Sequence, residues 1–352
     1  MQESIAIYII APLLTALTII VLKPFAKALD LIDVPNHRKL HNGEVPLTGG
    51  IAVFIGFTYV LISLGFFDTM AQTKQILFMC FLFIMFIGVL DDLYELSVKT
   101  RLVGQMLVSL LFIFGTETYI SNLGNLFSEG NVILGPGLGV LITMLAMMGA
   151  MNIYNMIDGM DGLLCTVSVS TLGFMSVCFY IAGLDMLFTL TFALILILVS
   201  FFIFNVPSIH RFKYKVFMGD AGSLLIGFII GWLLVEGSQS VNGTNAFKPE
   251  FALYLIGLPL MDMVAIIIRR ILRGDSPFEP DHQHIHHLLL RFGVSENASN
   301  FIIPLIAIFI MSSGVLVENF APTMLFEVFL TIFVVYLVAT KLMLRKIEKR
   351  EL

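Results

Sequence analysis

Four short stretches concentrate the carboxylates, amides and imidazoles of this chain. "DDLYELSVKTR" (91–101) opens on two adjacent acids, Asp91 and Asp92, with Glu95 a turn later and Lys99 beyond it. Neighbouring carboxylates on a helix point about 100° apart, so one can face a cation while the other faces a second group. Held this close, they also raise one another's affinity for a proton, which suits metal chelation or proton transfer. A solvated helix end would explain the pair equally well on its own. "NIYNMIDGMDG" (152–162) sets Asn152, Asn155, Asp158 and Asp161 three residues apart. On an unbroken helix the first and last would lie on opposite faces, whereas a helix that stops near Gly159 lets the four converge around its end. Such oxygen donors suit a hard cation such as Mg²⁺ and also the edge of a nucleobase.

"VFMGDAGS" (216–223) places Asp220 between Gly219 and Gly222 where an apolar run begins. Free N–H groups at a helix start suit phosphate, and an Asp capping the helix would look the same in sequence. "DHQHIHH" (281–287), set off by Pro277 and Pro280, carries His282, His284, His286 and His287. Zinc is one reading. No cysteine lies nearby and the other polar groups are hard carboxylates, so imidazoles holding phosphate oxygens is the preferred one. In "VPNHRKLHNGEVPLTGG" (34–50), Arg38 and His41 could bind phosphate, though an ordinary basic loop would read alike.

The elements that hold these stretches are apolar. Of 352 residues, 58% are hydrophobic and 13% charged, and the mean hydropathy is +0.95. A soluble surface needs far more charge, so the chain is an integral membrane protein. Long continuous runs such as "ILFMCFLFIMFIGVL" (76–90) exclude the short alternating segments of a β-barrel and predict an all-α polytopic fold. Eleven runs are long enough to span, near 4–22, 49–67, 75–90, 102–119, 134–154, 163–182, 187–205, 221–236, 250–268, 301–317 and 324–343. The first is read as a retained span rather than a cleaved signal. Cys80, Cys165 and Cys178 sit inside apolar runs without metal-ligand spacing and are read as packed thiols.

Basic residues orient the spans. With the C-terminus cytoplasmic and the N-terminus periplasmic, 18 of the 20 Lys and Arg fall on the cytoplasmic side, leaving Lys74 and Lys248 opposite. The same orientation puts all seven histidines and each of the motifs above on that side, in loops 33–48, 91–101, 155–162, 206–220 and 269–300 of a single transmembrane catalytic domain, residues 1–352. Arg101, Arg211, Lys213 and Lys215 fit anionic lipid head groups, and Lys99 beside the acidic pair fits substrate. Carboxylates for a metal together with histidines and cations for phosphate, all at one boundary, equip a protein for phosphoryl transfer between a soluble nucleotide and a lipid acceptor. A transporter of an anionic solute would instead predict internal repeats and polar groups near the midplane.

The four stretches, in this order and spacing, resemble the polyprenyl-phosphate N-acetylhexosamine-1-phosphate transferases, over about residues 30 to 292. The resemblance is nearest to bacterial members that start O-antigen and enterobacterial common antigen synthesis in the inner membrane. It implies UDP-GlcNAc plus undecaprenyl phosphate giving the lipid-linked diphosphosugar and UMP, with Mg²⁺, or Mn²⁺ in its place; another UDP-N-acetylhexosamine, including the muramoyl-pentapeptide donor, is the alternative. By the resemblance, Asp220 and Asn155 hold the metal, Asp91 is the base, Asp92 assists and Lys99 neutralises phosphate charge. Asn152, Asp158 and Asp161 bind the nucleotide, with Asp161 on the uracil edge, and His284, His286 and His287 hold the diphosphate or sugar. The expected partners are these two substrates and the lipid bilayer; no nucleic acid is expected, and the family admits a homodimer. Family members often carry Asp where this chain has Glu95.

Overall fold

The computed structural model describes residues 2–34, 43–67, 72–127, 130–206, 214–239, 244–276 and 283–351. The chain is an all-α polytopic membrane protein. In chain order the helices are α1 (Gln2–Leu22), α2 (Gly49–Ser63), α3 (Gln72–Tyr94), α4 (Val98–Thr116), α5 (Pro136–Ile157), α6 (Leu163–Ile181), α7 (Asp185–Asn205), α8 (Gly219–Ser238), α9 (Pro249–Leu255), α10 (Gly257–Arg273), α11 (Ile285–Arg291), α12 (Glu296–Phe320) and α13 (Leu325–Glu351). Each of the eleven apolar runs lies on helical structure. Among the described residues nine helices are long and apolar enough to cross a membrane, and the pair α9 and α10, bent by 81°, makes a tenth crossing if taken as one span. The run read as 49–67 is helical only over Gly49–Ser63, 15 residues. One departure from an all-helical reading is a two-residue antiparallel pair, Ile32–Asp33 with Val45–Pro46.

Helix α8 is the axis of the molecule. Its span is 94% buried, against 17% for the outermost segment, Pro322–Lys349. Helices α2, α3 and α5 surround it. In a bilayer no hydrophobic effect drives one apolar helix onto another, so close backbone approach through small residues must do that work. A Cβ at Gly88 of α3 would lie 2.3 Å from the Cα of Ala221, and one at Gly50 of α2 would lie 2.6 Å from the Cα of Gly222. Both contacts fall in the first turn of α8, beside Asp220. Outward, Leu13, Leu17, Phe83, Phe86, Phe309 and Val335 leave large apolar side chains exposed, as lipid-facing positions require.

The break between α9 and α10 would cost unsatisfied carbonyls in lipid. Thr171 Oγ1 donates to Leu255 O at 3.0 Å, taking up one carbonyl freed at the break, and Tyr254 OH donates to Leu325 O at 2.7 Å, tying α9 to the start of α13. The bend redirects α10 toward the histidine segment.

Candidate active site

The "DDLYE" acids close the α3–α4 turn, and each goes a different way. Asp91 is buried; its Oδ1 accepts from Leu96 N at 2.9 Å and its Oδ2 from Arg101 Nη1 at 3.0 Å. Arg101 thus faces an internal acid rather than lipid phosphate. Glu95 sits in the left-handed region at φ 47°, is exposed, and donates its N–H to Asp91 O at 2.9 Å. It ends the helix. Lys99 lies exposed in the first turn of α4.

Asp92 reaches across to α8. Its two oxygens accept from Asp220 N at 2.7 Å and Ala221 N at 3.1 Å, satisfying the orphan donors of that helix start. Asp220 is therefore not the cap: the cap comes from α3, and the Asp220 side chain is left for other partners. Gly219 makes this possible, with φ 73° and a position where a Cβ would lie 2.6 Å from Asp92 Oδ2. Asn155 Nδ2 donates to Asp220 Oδ1 and, at 3.0 Å, to Ser223 Oγ.

Helix α5 ends at Ile157 with Asp158 as its C-cap, as the glycine-rich turn predicts. Asp158, Gly159 and Asp161 follow within that turn. The carboxyl of Asp158 is pushed up to about 8, first by burial and then by the carboxylates of Asp220 and Asp161. Asp161 Oδ2 accepts from Lys215 Nζ at 2.7 Å, and Asp161 O accepts from Asn300 Nδ2 at 2.6 Å. Lys215 is buried and stands over the Phe217 ring at 4.6 Å, so it belongs to the site and not to the lipid surface. Asn205 braces the same turn, accepting from Gly162 N at 2.5 Å and donating to Val216 O at 3.0 Å. Asn152 does not join the group: its Nδ2 donates to Gln105 Oε1 at 2.6 Å and to Met148 O at 2.7 Å, joining α5 to α4.

The histidines complete the site from the far end of the sequence. His284 and His286 are buried with parallel rings 5.7 Å apart, and His287 lies 4.1 Å from His286. A Cβ on Gly159 would lie 2.5 Å from His286 Nε2, so the imidazole occupies the space the glycine leaves. His284 Nδ1 stands 2.8 Å from Asp262 Oδ2. Asp262, Gln105, Asn205 and Asn300 were not among the residues singled out from sequence. The candidates Arg38, His41, Arg211, Lys213 and His282 lie outside the described residues.

The arrangement can bind an anion-bearing ligand together with a cation. Asp220, Asn155 and Ser223 offer one carboxylate and two neutral oxygens, with Asp158 nearby. Among the described residues no group of three or more His, Cys, Asp or Glu encloses a metal. An open set with one or two carboxylates fits Mg²⁺, which keeps water and substrate phosphate among its ligands.

Residues 74–238 match the sequence profile described as glycosyl transferase family 4. The chain is 38% identical over 327 residues to the undecaprenyl-phosphate alpha-N-acetylglucosaminyl 1-phosphate transferase of Escherichia coli (strain K12), covering 92% of this chain and 87% of that one. The enzyme of the same name from Yersinia pestis is 38% identical over 321 residues, 90% of this chain and 86% of that one. The Haemophilus influenzae enzyme is 36% identical over 303 residues, 86% and 83%. At these identities and over these lengths, the chain belongs to glycosyl transferase family 4, as a phospho-sugar transferase of the kind these relatives represent.

Proposed function

We propose that the protein transfers N-acetylglucosamine 1-phosphate from UDP-GlcNAc to undecaprenyl phosphate, releasing UMP. The reaction would take place at the cytoplasmic face of a bacterial inner membrane, as the first membrane step of O-antigen or enterobacterial common antigen synthesis. The chain would cross that membrane eleven times, with a periplasmic N-terminus. The names of the relatives support the acceptor and the transferred group. The observation that carries the reading is the meeting of Asp220, Asn155, Asp158 and His286 at one helix end. These side chains come from three separated stretches, each of a type suited to a metal-bound diphosphate.

Asp220 and Asn155 would hold Mg²⁺ (or Mn²⁺) against the donor's diphosphate. Bound there, the ion would screen phosphate charge and polarise the β-phosphorus. His286 and its neighbours His284 and His287 face the diphosphate or sugar, and Lys99 adds positive charge at the mouth. Asp161 uses one carboxylate oxygen for Lys215, leaving Oδ1 to accept from the uracil N–H. Asp92 keeps Asp220 in place by capping α8. For Asp91 the ion pair with Arg101 favours a structural part over that of a free base. A phosphate monoester has its second pKa near about 6, so the lipid phosphate arrives largely dianionic at neutral pH and needs little help in losing a proton. Its oxygen attacks the β-phosphorus directly, and the UMP oxygen leaves. One phosphoanhydride is exchanged for another, so alignment and charge neutralisation are the main demands.

The test is UMP release by purified protein with undecaprenyl phosphate and Mg²⁺, offered UDP-GlcNAc, UDP-GalNAc and UDP-MurNAc-pentapeptide in parallel. Release from UDP-GlcNAc alone, lost with EDTA and in folded Asp220→Ala, is expected. Release from a different donor would overturn the substrate, and full turnover by Asp220→Ala would overturn the metal assignment.

A further inference from the structure

Asp262 sits in α10 shortly after the break, in the apolar stretch "GLPLMDMVA", and is 3% exposed. A carboxylate in such surroundings is costly, and replacing it by an apolar side chain is the cheaper way to fill the space. Yet Asp262 is fully engaged. Its Oδ2 stands 2.8 Å from His284 Nδ1, and its Oδ1 accepts from Ile285 N at 3.1 Å and from Tyr336 OH at 2.7 Å. The donors come from two elements distant in sequence, the start of α11 and the middle of α13. Tyr336 and His284 are themselves buried.

We propose that Asp262 is a positioning residue for the transfer reaction, fixing both the tautomer and the orientation of His284, with Tyr336 holding the carboxylate from behind. This rests on the reading that the histidines receive the donor's diphosphate or sugar. Asp262 acts as the acceptor in this cluster, so the hydrogen of the 2.8 Å contact resides on His284 Nδ1, leaving Nε2 as the ring's outward nitrogen. Partners that orient a ligating or phosphate-facing imidazole in this way are typical of built sites. The consequence extends past one ring. His284 lies parallel to His286, whose Nε2 fills the notch above Gly159, so the Asp262–Tyr336 clamp sets the register of the whole stack against the aspartate turn. The C-terminal helix, remote in sequence from every stretch that bears the chemistry, thereby takes part in the site.

A simpler alternative is that Asp262 only caps α11 through Ile285 N. Asp262→Asn separates the two. The amide oxygen still accepts from Ile285 N, but the amide N–H₂ competes for His284 Nδ1 and favours the opposite tautomer. The expected result for Asp262→Asn is a folded protein with kcat for UMP release lowered by about 10–100-fold, the usual cost of losing such a partner. In a His284→Gln background the same change should cost less than twofold. Tyr336→Phe should lower kcat by a few fold, and Asp262→Glu should recover part of the loss. Full kcat in Asp262→Asn, or an undiminished loss in the His284→Gln background, would overturn the proposal. A second readout does not depend on turnover: the ¹⁵N spectrum of His284, assigned by difference against His284→Gln, should show the Nδ1–H tautomer in the parent protein and its loss in Asp262→Asn. An Nε2–H tautomer in the parent would overturn the proposal even if the enzyme is active. The Nδ1–H tautomer in a protein that releases no UMP would leave the clamp standing and overturn the reaction assigned to the site.

Discussion

At the scale of single residues, the site is a set of acids that the fold sends in different directions. Asp91 and Asp92 are adjacent in sequence, yet one pairs with Arg101 while the other caps α8. Breaking a buried pair strands a charge, so Asp91→Asn alone or Arg101→Met alone should each destabilise by about 3 kcal/mol, while Asp91→Leu with Arg101→Met should recover most of it. Chemical unfolding in detergent measures this. Recovered activity in the double variant is expected, and a folded but inactive double variant would restore Asp91 as the base. Asp158 gives a pH test. Its folded-state value of about 8 lies above the ordinary 3.8, so between those two values the folded protein binds the proton more tightly and stability falls as pH rises. Without divalent cation, the thermal stability of Asp158→Asn relative to the parent should therefore grow from pH 4 towards about 8 and level off above it; a pH-independent difference would contradict the charged cluster. The residue types of Asp158, Asp220 and the histidines were legible in sequence because acids and imidazoles in an apolar chain stand out. The cap by Asp92 was not, since its partners lie 128 and 129 residues away. Asp262 was legible in principle: a lone carboxylate inside a candidate span is itself a signal of function.

At the scale of elements, glycine marks where one segment presses on another. Gly159 leaves room for His286, whereas Gly149, ten residues earlier in α5, has nothing within 4 Å of its missing Cβ. Gly159→Ala should therefore raise the donor KM about tenfold or more and cost about 1–3 kcal/mol by overpacking. Gly149→Ala should be neutral, or stabilising by up to about 1 kcal/mol from helix propensity. Donor titrations and melting curves check both, and equal effects at the two positions would contradict the contact. The eleven apolar runs were legible because hydropathy reports helices directly. The break at Ile256 is hidden in the sequence, although Gly257 and Pro259 stand beside it, because a hydropathy run continues across a bend whose freed carbonyl a neighbouring helix satisfies. The end of α2 at Ser63 was missed for a similar reason, since Leu64, Phe66 and Phe67 continue the apolar pattern past the helix.

At the scale of the whole molecule, one buried helix organises the chemistry. Helix α8 presents its first turn to α2, α3 and α5, and the ends of α3 and α5 supply Asp92, Asn155 and Asp158 there. The segment after the α9–α10 bend then brings His286 against Gly159, in the turn that follows α5. Sequence order hides this convergence, because the four stretches are spread over about two hundred residues and only packing joins them. At this scale the sequence offers an expectation, that the polar motifs and most basic residues sort to one side, which a one-sided phosphoryl-transfer site requires and a midplane transport site does not. The central claim is that sugar and phosphorus move together onto the lipid. The most direct measurement uses UDP-GlcNAc carrying ³²P in the β-phosphate and ³H in the sugar, incubated with the purified protein, undecaprenyl phosphate and Mg²⁺, followed by extraction of the lipid. Both labels in the lipid in equal molar amounts, matched by released UMP, is the predicted result; ³H without ³²P, or neither label in the lipid, would contradict it.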